Sequence, residues 1–490
     1  MRALLFLLLV SMAWPGAVRC AEPAAAQADD PVLGAWAGSE TFRGESKPIA
    51  LRFERYAKKN NALVAWYDNP RMKFNNLGPM AVTRSGERYD NVYFHLTLSA
   101  DRAALTGTKS FDGHDLQVDL RRGTLPAASE TAPAAIPTAS PLWTFKTDGA
   151  IWSSPVAADA TVYFGSSDGN VRALRGRDGK LLWQQRTGGA VMARPTVVGN
   201  DLYVPSDDGF LYKLRRADGS VVWKFDLHGA ITRDLPSNES ATYDHETSAA
   251  TISDGTVYVG SPDHHLYAID AASGAQRWRF ETQGSVRSTP AVARGRVFFG
   301  SYDHFIYALD TKDGKLDWKR DTLEPVISAV LVDDGVVYVG SRSSDLFALD
   351  AATGAVRWTF FYWASWVDSG ATIRDRVIYI GSSDYQQVFA IDAASGAERW
   401  RFNTDGSPWP TPAVTNKRVY IGAVGASGYF IDHHGAFFSL DRASGKPVWR
   451  FALPAVAGSM TWGVAGSAVV DHGLVFFGSL DGTFYAFRAE

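Results

Sequence analysis

Residues 336–358 read V-V-Y-V-G-S-R-S-S-D-L-F-A-L-D-A-A-T-G-A-V-R-W. An alternating run ends in Gly340, a second follows a short polar turn, and Ala348-Leu349-Asp350-Ala351-Ala352-Thr353-Gly354 leads to Trp358. Alternation of period two, bounded by turn residues, marks half-buried strands joined by hairpins. The ending recurs at Ala173–Trp183, Lys213–Trp223, Ala268–Trp278, Ala308–Trp318, Ala390–Trp400 and Ser439–Trp449. Tryptophan intervals from Trp143 to Trp449 are 40, 40, 55, 40, 40, 42 and 49 residues. The segment Arg450–Phe487 has the strands but no closing tryptophan, and Trp143 has no repeat before it. Joining the two ends gives eight units. A period near 40 with four short strands per unit predicts an all-β chain built around an eight-bladed β-propeller. Ring closure removes exposed sheet edges.

The tryptophans Trp143, Trp183, Trp223, Trp278, Trp318, Trp358, Trp400 and Trp449 are read as scaffold, packed between neighbouring sheets. The glycine shortly before all of these but Trp143 suits a turn of positive φ.

The pattern V-Y-x-G-S-x-D-x-x-L-Y-A-L-D-A-x-[ST]-G-x-x-x-W resembles the propeller repeat of the pyrroloquinoline quinone (PQQ) type over residues 141–490. The resemblance implies one of two branches: quinoprotein alcohol and sugar dehydrogenases, or non-catalytic propellers resembling the outer-membrane assembly factor BamB. Fold does not choose between them. The dehydrogenase branch implies a vicinal cysteine pair, which this chain lacks, and calcium or a lanthanide held by Glu, Asn and Asp. Asn238, Glu246 and Asp368 have suitable chemistry for a hard cation but match no motif of that branch.

Of the chain's 490 residues 46% are hydrophobic and 21% charged, an ordinary globular balance. The net charge of -3 and the lack of any dense Lys/Arg run argue against a nucleic-acid partner. A single cysteine excludes internal disulfides, Cys-based zinc sites and haem attachment. Arg2, the apolar run Ala3–Val10 and the breaker Trp14-Pro15-Gly16 read as a secretory signal over residues 1–28, with Ala26-Gln27-Ala28 as cleavage site. Arg19 before Cys20 argues against a lipoprotein. No other stretch is long and apolar enough to span a bilayer, so the mature chain is expected to be a periplasmic monomer.

Residues 29–123 predict a small β-sandwich or barrel, with strands at Ile49–Phe53, Ala62–Tyr67, Val92–Leu98 and Leu116–Leu120. Leu33-Gly34-Ala35-Trp36 resembles the G-x-W opening of lipocalin-like barrels. Residues 124–140, rich in Ala, Pro, Ser and Thr, read as a flexible linker.

Insertions in a repeat protein map to one face. Tryptophan to the next strand-ending Gly or Pro spans 22 residues in blades one, two, four, five and seven, 37 in blade three, 23 in blade six and 29 in blade eight. Blade seven carries its excess in its middle hairpin. Both connection types emerge on the same face, which is therefore the expected functional face. Counting back from the strand-ending residue puts Trp152, Met192, Thr247, Arg287, Ile327, Asp368, Trp409 and Ala465 at one position, ringing the channel mouth. Trp152, Arg287, Asp368, Trp409, His245, Glu246, Trp366 and Trp462 are the candidate ligand-binding residues, suited to a flat or anionic ligand. His264-His265, His304 and His433-His434 fall on middle hairpins as turn variants, and no metal site is assigned to them. No catalytic motif is found. The expected function is an envelope binding scaffold for a protein or extended ligand. The alternative is a divergent PQQ-dependent alcohol or sugar dehydrogenase with PQQ and calcium as cofactors; a propeller lyase or hydrolase has no motif to support it.

Overall fold

The computed structural model describes residues 30–56, 62–69, 74–111, 113–125, 135–229, 247–363, 365–427 and 433–489. The chain divides into two compact units, Met1–Pro133 and Ala134–Glu490. No described helix is long and apolar enough to cross a membrane.

In the first unit nine antiparallel strands form one nearly closed, barrel-like sheet. The strands follow one another as a meander, and Gly34–Phe42 pairs with both Glu45–Tyr56 and His114–Arg122. The sheet's two free edges, Phe74–Ala81 and Thr83–Ser85, are separated in sequence by Val82 alone. A Cβ on Gly38 would lie 2.0 Å from the Asp119 carbonyl oxygen, so only glycine permits this close crossing. One interior cluster holds Trp36, Leu51, Phe53, Tyr67, Tyr89, Phe94 and Leu120. The Arg122 guanidinium lies 4.5 Å from the Trp36 ring centroid. Among these apolar groups sits a buried ion pair, Lys109 Nζ to Glu40 Oε2 at 2.8 Å, with the Tyr67 hydroxyl 3.0 Å from the ammonium. The predicted third strand begins at Phe94, not Val92, whose side chain is exposed.

The second unit is a ring of eight four-stranded antiparallel sheets. The eighth sheet is completed from the other end of the chain: Trp143–Lys146 pairs with Thr483–Arg488, Trp143 opposite Ala486. Within each blade the two middle strands are almost wholly buried, the innermost is half-buried and the outermost alternates, as Thr161–Gly165 and Leu181–Arg186 illustrate. Apolar clusters join consecutive blades, for instance Phe298 and Ile306 of blade four with Val337 and Leu349 of blade five.

The repeat tryptophans make these joints. Trp318 Nε1 donates to the Ala351 carbonyl of the next blade at 3.2 Å, and Trp278 does the same to Thr311 at 3.0 Å. The glycine of the next blade's turn lies against the indole. A Cβ on Gly354 would meet Trp318 Cε3 at 2.6 Å, and its φ is +68°. That glycine is therefore required twice, for its backbone angle and for its missing side chain. Opposite each tryptophan the third strand carries a small residue or Lys213, and at all of them but Trp143 the pairing shifts by one residue, as between Ala348 and Leu349. Such bulges sharpen the twist that each blade needs.

Pro137–Ala139 runs beside Arg450 of blade seven, which donates to the Pro137 carbonyl and accepts from the Ala139 N–H.

Candidate functional site

Three successive residues of each innermost-strand entrance form three tiers around the axis. The middle tier is structural. Ser153, Ser248, Ser288, Ser328 and Ser369 are buried there. Ser369 Oγ donates to the Pro410 carbonyl of the next blade at 2.9 Å and accepts the Gly381 N–H at 3.2 Å. Ser153 and Ser248 repeat the arrangement towards Ala193 and Ser288. This belt was missed in the sequence, although its signal is a serine twelve residues before the strand-ending glycine.

The tier below lines the channel with Ser154, Arg194, Ala249, Thr289, Ala329, Gly370, Thr411 and Ser467. Several of these tie adjacent blades: the Thr411 N–H donates to Ser467 Oγ at 2.9 Å, and the Ser467 N–H to Ser154 Oγ at 2.8 Å.

The tier above is the ring aligned in the sequence. Seven of its members, Trp152, Met192, Thr247, Ile327, Asp368, Trp409 and Ala465, border a central cavity of about 480 Å³. Arg287 does not border it. Its guanidinium is turned to the Tyr302 ring, 5.1 Å from the centroid.

Tyr302 opens onto a cluster that crosses blades four to six. Arg342, from the middle hairpin of blade five, lies 5.7 Å from the Tyr302 centroid and 4.3 Å from that of Trp366. The same guanidinium meets the Asp368 carboxylate at 3.3 and 3.4 Å, both side chains nearly buried. Arg342 was not singled out from the sequence. Its signal is that the aligned position is Ser167, Asp207, Pro262, Tyr302, Ser383, Val424 and Leu480 elsewhere. Trp409 Nε1 donates to Ser383 Oγ of blade six at 3.0 Å.

Trp462 lies in the blade-eight insertion, where Thr461–Gly463 adds an antiparallel strand to the extended Arg418–Ala426 of blade seven. The insertion and the long hairpin thus share one face. A Cβ on Gly425 or Gly435 would lie 2.4 or 2.6 Å from the Trp462 indole, so two glycines make its seat. His245 and Glu246 fall outside the described residues, as do Asn238 and most of the blade-three insertion. His264 and His304 take φ of +76° and +77°, the conformation of Gly169 and Gly482 in equivalent turns.

The mouth offers stacked guanidinium and indole groups and one carboxylate, already engaged by Arg342. Among the described residues no three His, Cys, Asp or Glu side chains come together as a metal site. The described residues therefore do not supply the acid-rich cage that calcium beside a quinone requires. The indoles of Trp152 and Trp409 and the cation of Arg194 do suit a planar anion.

The model of the family described as outer membrane protein assembly factor BamB matches residues 131–251, 211–361 and 361–490. No curated protein matches the sequence significantly. Among solved structures, BamB from Moraxella catarrhalis superposes with a TM-score of 0.54 at 18% identity, covering 72% of this chain and 100% of that one. A computationally designed protein, Ika8, gives 0.56 at 17%, covering 70% and 97%. Quinohemoprotein alcohol dehydrogenase from Comamonas testosteroni gives 0.55 at 14%, covering 71% and 76%. At these identities the likeness is one of fold.

Proposed function

The chain belongs to the family of outer membrane protein assembly factor BamB, and from that premise we propose that its propeller is a binding scaffold of the cell envelope. It takes a protein or extended ligand on the loop-rich face. The observation that carries this reading is the half-buried Arg287, Tyr302 and Trp366, residue types that dominate recognition hot spots, set across blades four to six with the buried Arg342 packed between Tyr302 and Trp366. The added strand at Thr461–Gly463 with Trp462 enlarges the same face. Residues 1–28, read as an export signal, direct the chain to the periplasm, where it acts as a monomer.

A photo-crosslinking phenylalanine at Trp366 or Trp462, against Ala272 or Ala352 in the turns of the opposite face, tests this in cells of the source organism. We expect one common adduct from the first pair and none from the second. Equal adducts from both faces, or none from either, refute the reading.

The dehydrogenase alternative is supported by the planar-anion character of the channel. Saturating PQQ with calcium at a hundred times its dissociation constant would stabilise the fold by about 2.7 kcal/mol. A melting shift lost in Trp409→Ala, together with dye-linked alcohol oxidation, would favour that alternative; an unchanged melting curve would remove it.

A further inference from the structure

We infer that the outer rim of blades eight, one and two, beside the face opposite the loop-rich one, docks on an anionic phospholipid surface. The inference concerns a part of the ring that neither reading of the loop-rich face uses.

Two departures from the repeat coincide there. The third strand ends on an aspartate in blades three to seven, Asp270, Asp310, Asp350, Asp392 and Asp441, but on Arg175, Arg215 and Arg488 in blades one, two and eight. The residue before the blade tryptophan is charged in blades three to six, where Arg277, Asp317, Arg357 and Arg399 each make an ion pair within their own blade. In blades eight, one and two it is Leu142, Leu182 and Val222, exposed by 48, 48 and 38%. With Leu181, Val198 and Val221 of blades one and two, these are six of the ten large apolar side chains exposed among the described residues of the propeller. A fold that needed only its pairs would have no cause to lose both partners in three adjacent blades.

The blade joints interleave the apolar and the basic groups. Trp143 Nε1 donates to the Gly176 carbonyl at 3.0 Å, and Trp183 Nε1 to the Arg216 carbonyl at 2.9 Å. Each outer strand therefore starts beside the turn of the next blade, residues 175–180 after Leu142 and residues 215–220 after Leu181 and Leu182. These two turns hold Arg175, Arg177, Lys180, Arg215 and Arg216 against Asp178 and Asp218. The equivalent turns of blades three, five and six hold one aspartate each and no cation. Arg175 and Arg177 share Asp178, and Arg216 engages Asp159. Lys180, Arg215 and Arg488 make no ion pair among the described residues.

The chemistry of the rim selects a lipid surface over a protein. Leu and Val are scarce among protein hot spots, where Trp and Tyr dominate. No Trp, Tyr or Phe is exposed among the described residues of these blades, and Trp143, Trp183 and Trp223 are half-buried in their joints. Aliphatic side chains set among arginines suit an interface of two layers: the apolar groups leave water at the acyl boundary, and the guanidinium groups meet headgroup phosphates. The contact is shallow. Leu181–Arg186 and Val221–Asp226 are the last strands of their sheets, and their free backbone groups would be left unpaired in hydrocarbon.

The test is flotation of residues 29–490, both units without the apolar run Ala3–Val10, on vesicles of phosphatidylcholine alone or with one-third phosphatidylglycerol. Wild type should bind the anionic vesicles about tenfold more tightly, a preference that falls as salt rises. Arg175→Asp with Arg215→Asp installs the residue of blades three to seven. That pair, and separately Leu182→Ser with Val222→Ser, should melt as wild type and weaken binding to anionic vesicles about tenfold. Leu316→Ser with Val356→Ser, equally exposed in blades four and five, should leave binding unchanged. Four results overturn the inference: no binding of wild type to anionic vesicles, equal binding to both kinds, rim variants that bind as wild type, or an equal loss in the blade-four and blade-five pair. A dimer in sedimentation equilibrium that the Leu182→Ser, Val222→Ser pair abolishes would assign the rim to a second copy and overturn it too. Loss of crosslinking on the loop-rich face would leave these measurements untouched, so the two proposals fail separately.

Discussion

Replacing Gly314 by alanine tests whether the tryptophans hold neighbouring blades together. Gly314 has φ of +71°, and a Cβ there would lie 2.6 Å from Trp278 Cε3 and 2.8 Å from Cδ2. Gly295 belongs to the same blade and has φ of +77°, but its Cβ would meet nothing within 4 Å. Both substitutions incur the left-handed backbone cost of roughly 1–2 kcal/mol. Only Gly314→Ala must also displace the indole. That costs its hydrogen bond to the Thr311 carbonyl, about 1 kcal/mol net, and part of its contact with Tyr258, 5.8 Å away between centroids. Gly314→Ala should therefore destabilise the propeller by about 2 kcal/mol more than Gly295→Ala, read from urea midpoints by circular dichroism. In a Trp278→Ala background the excess should vanish, because the clash has been removed. Equal costs for the two glycines, or an excess that survives in Trp278→Ala, would refute the account of the blade joint.

The barrel's interior ion pair gives a second test. Glu40→Gln or Lys109→Met alone should destabilise that unit by about 3–5 kcal/mol, while Glu40→Leu with Lys109→Met should be near neutral in the same melt. Burial works against the Lys109 ammonium, but Glu40 and Tyr67 outweigh it and raise its pKa. Its contribution is thus complete below the unfolded value near 10.4 and is lost only as pH rises beyond that through the folded value. Calorimetry should show an alkaline loss of stability that is absent in the double variant. On the turns of the opposite face, hydrogen bonds from Arg357 and Thr353 hold the Asp350 carboxyl down to about 2. The stability it supplies is present above about pH 4 and fades as pH falls towards 2, and solvent screening keeps it below about 1 kcal/mol. Asp350→Asn should lower the urea midpoint at pH 6 and leave it unchanged at pH 2.

The ring was legible because its signal is redundant. Spacing, alternation and the Gly–Trp pair all report the same contact, and Trp143 without a repeat of its own foretold the strand pairing with Thr483–Arg488. The barrel was less legible for a specific reason. Gly34–Phe42 and Ala104–Phe111 place Glu40 and Lys109 inside, where alternation looks for apolar side chains. The mouth residues Trp152, Asp368 and Trp409 were found by aligning one tier. Arg194 sits two residues further along that alignment, and Arg342 in a hairpin that was compared only for length and for histidines. Both stand out by departing from seven other blades, not by any motif.

Departure from the repeat also sets one sector of the ring apart. In blades two, three and four an aspartate in the middle hairpin closes on a tyrosine four residues later: Asp208 with Tyr212 at 2.6 Å, Asp263 with Tyr267 at 2.5 Å and Asp303 with Tyr307 at 2.7 Å. Blade one substitutes the ion pair of Asp168 with Arg172, and blade eight keeps Asp481 and Tyr485 at 3.5 Å. Blades five, six and seven have Phe347, Phe389 and Phe438 where the tyrosine stands, so no hydroxyl can close this lock. The same three blades supply Arg342, Ser383 and the long hairpin that receives the Trp462 strand. A substitution that merely relaxed the fold would leave these hairpins without new contacts. Instead each has exchanged a contact within its own blade for one that crosses to the next blade's entrance at the mouth. Three such exchanges in adjacent blades are what the loop-rich binding surface proposed above would require of this sector.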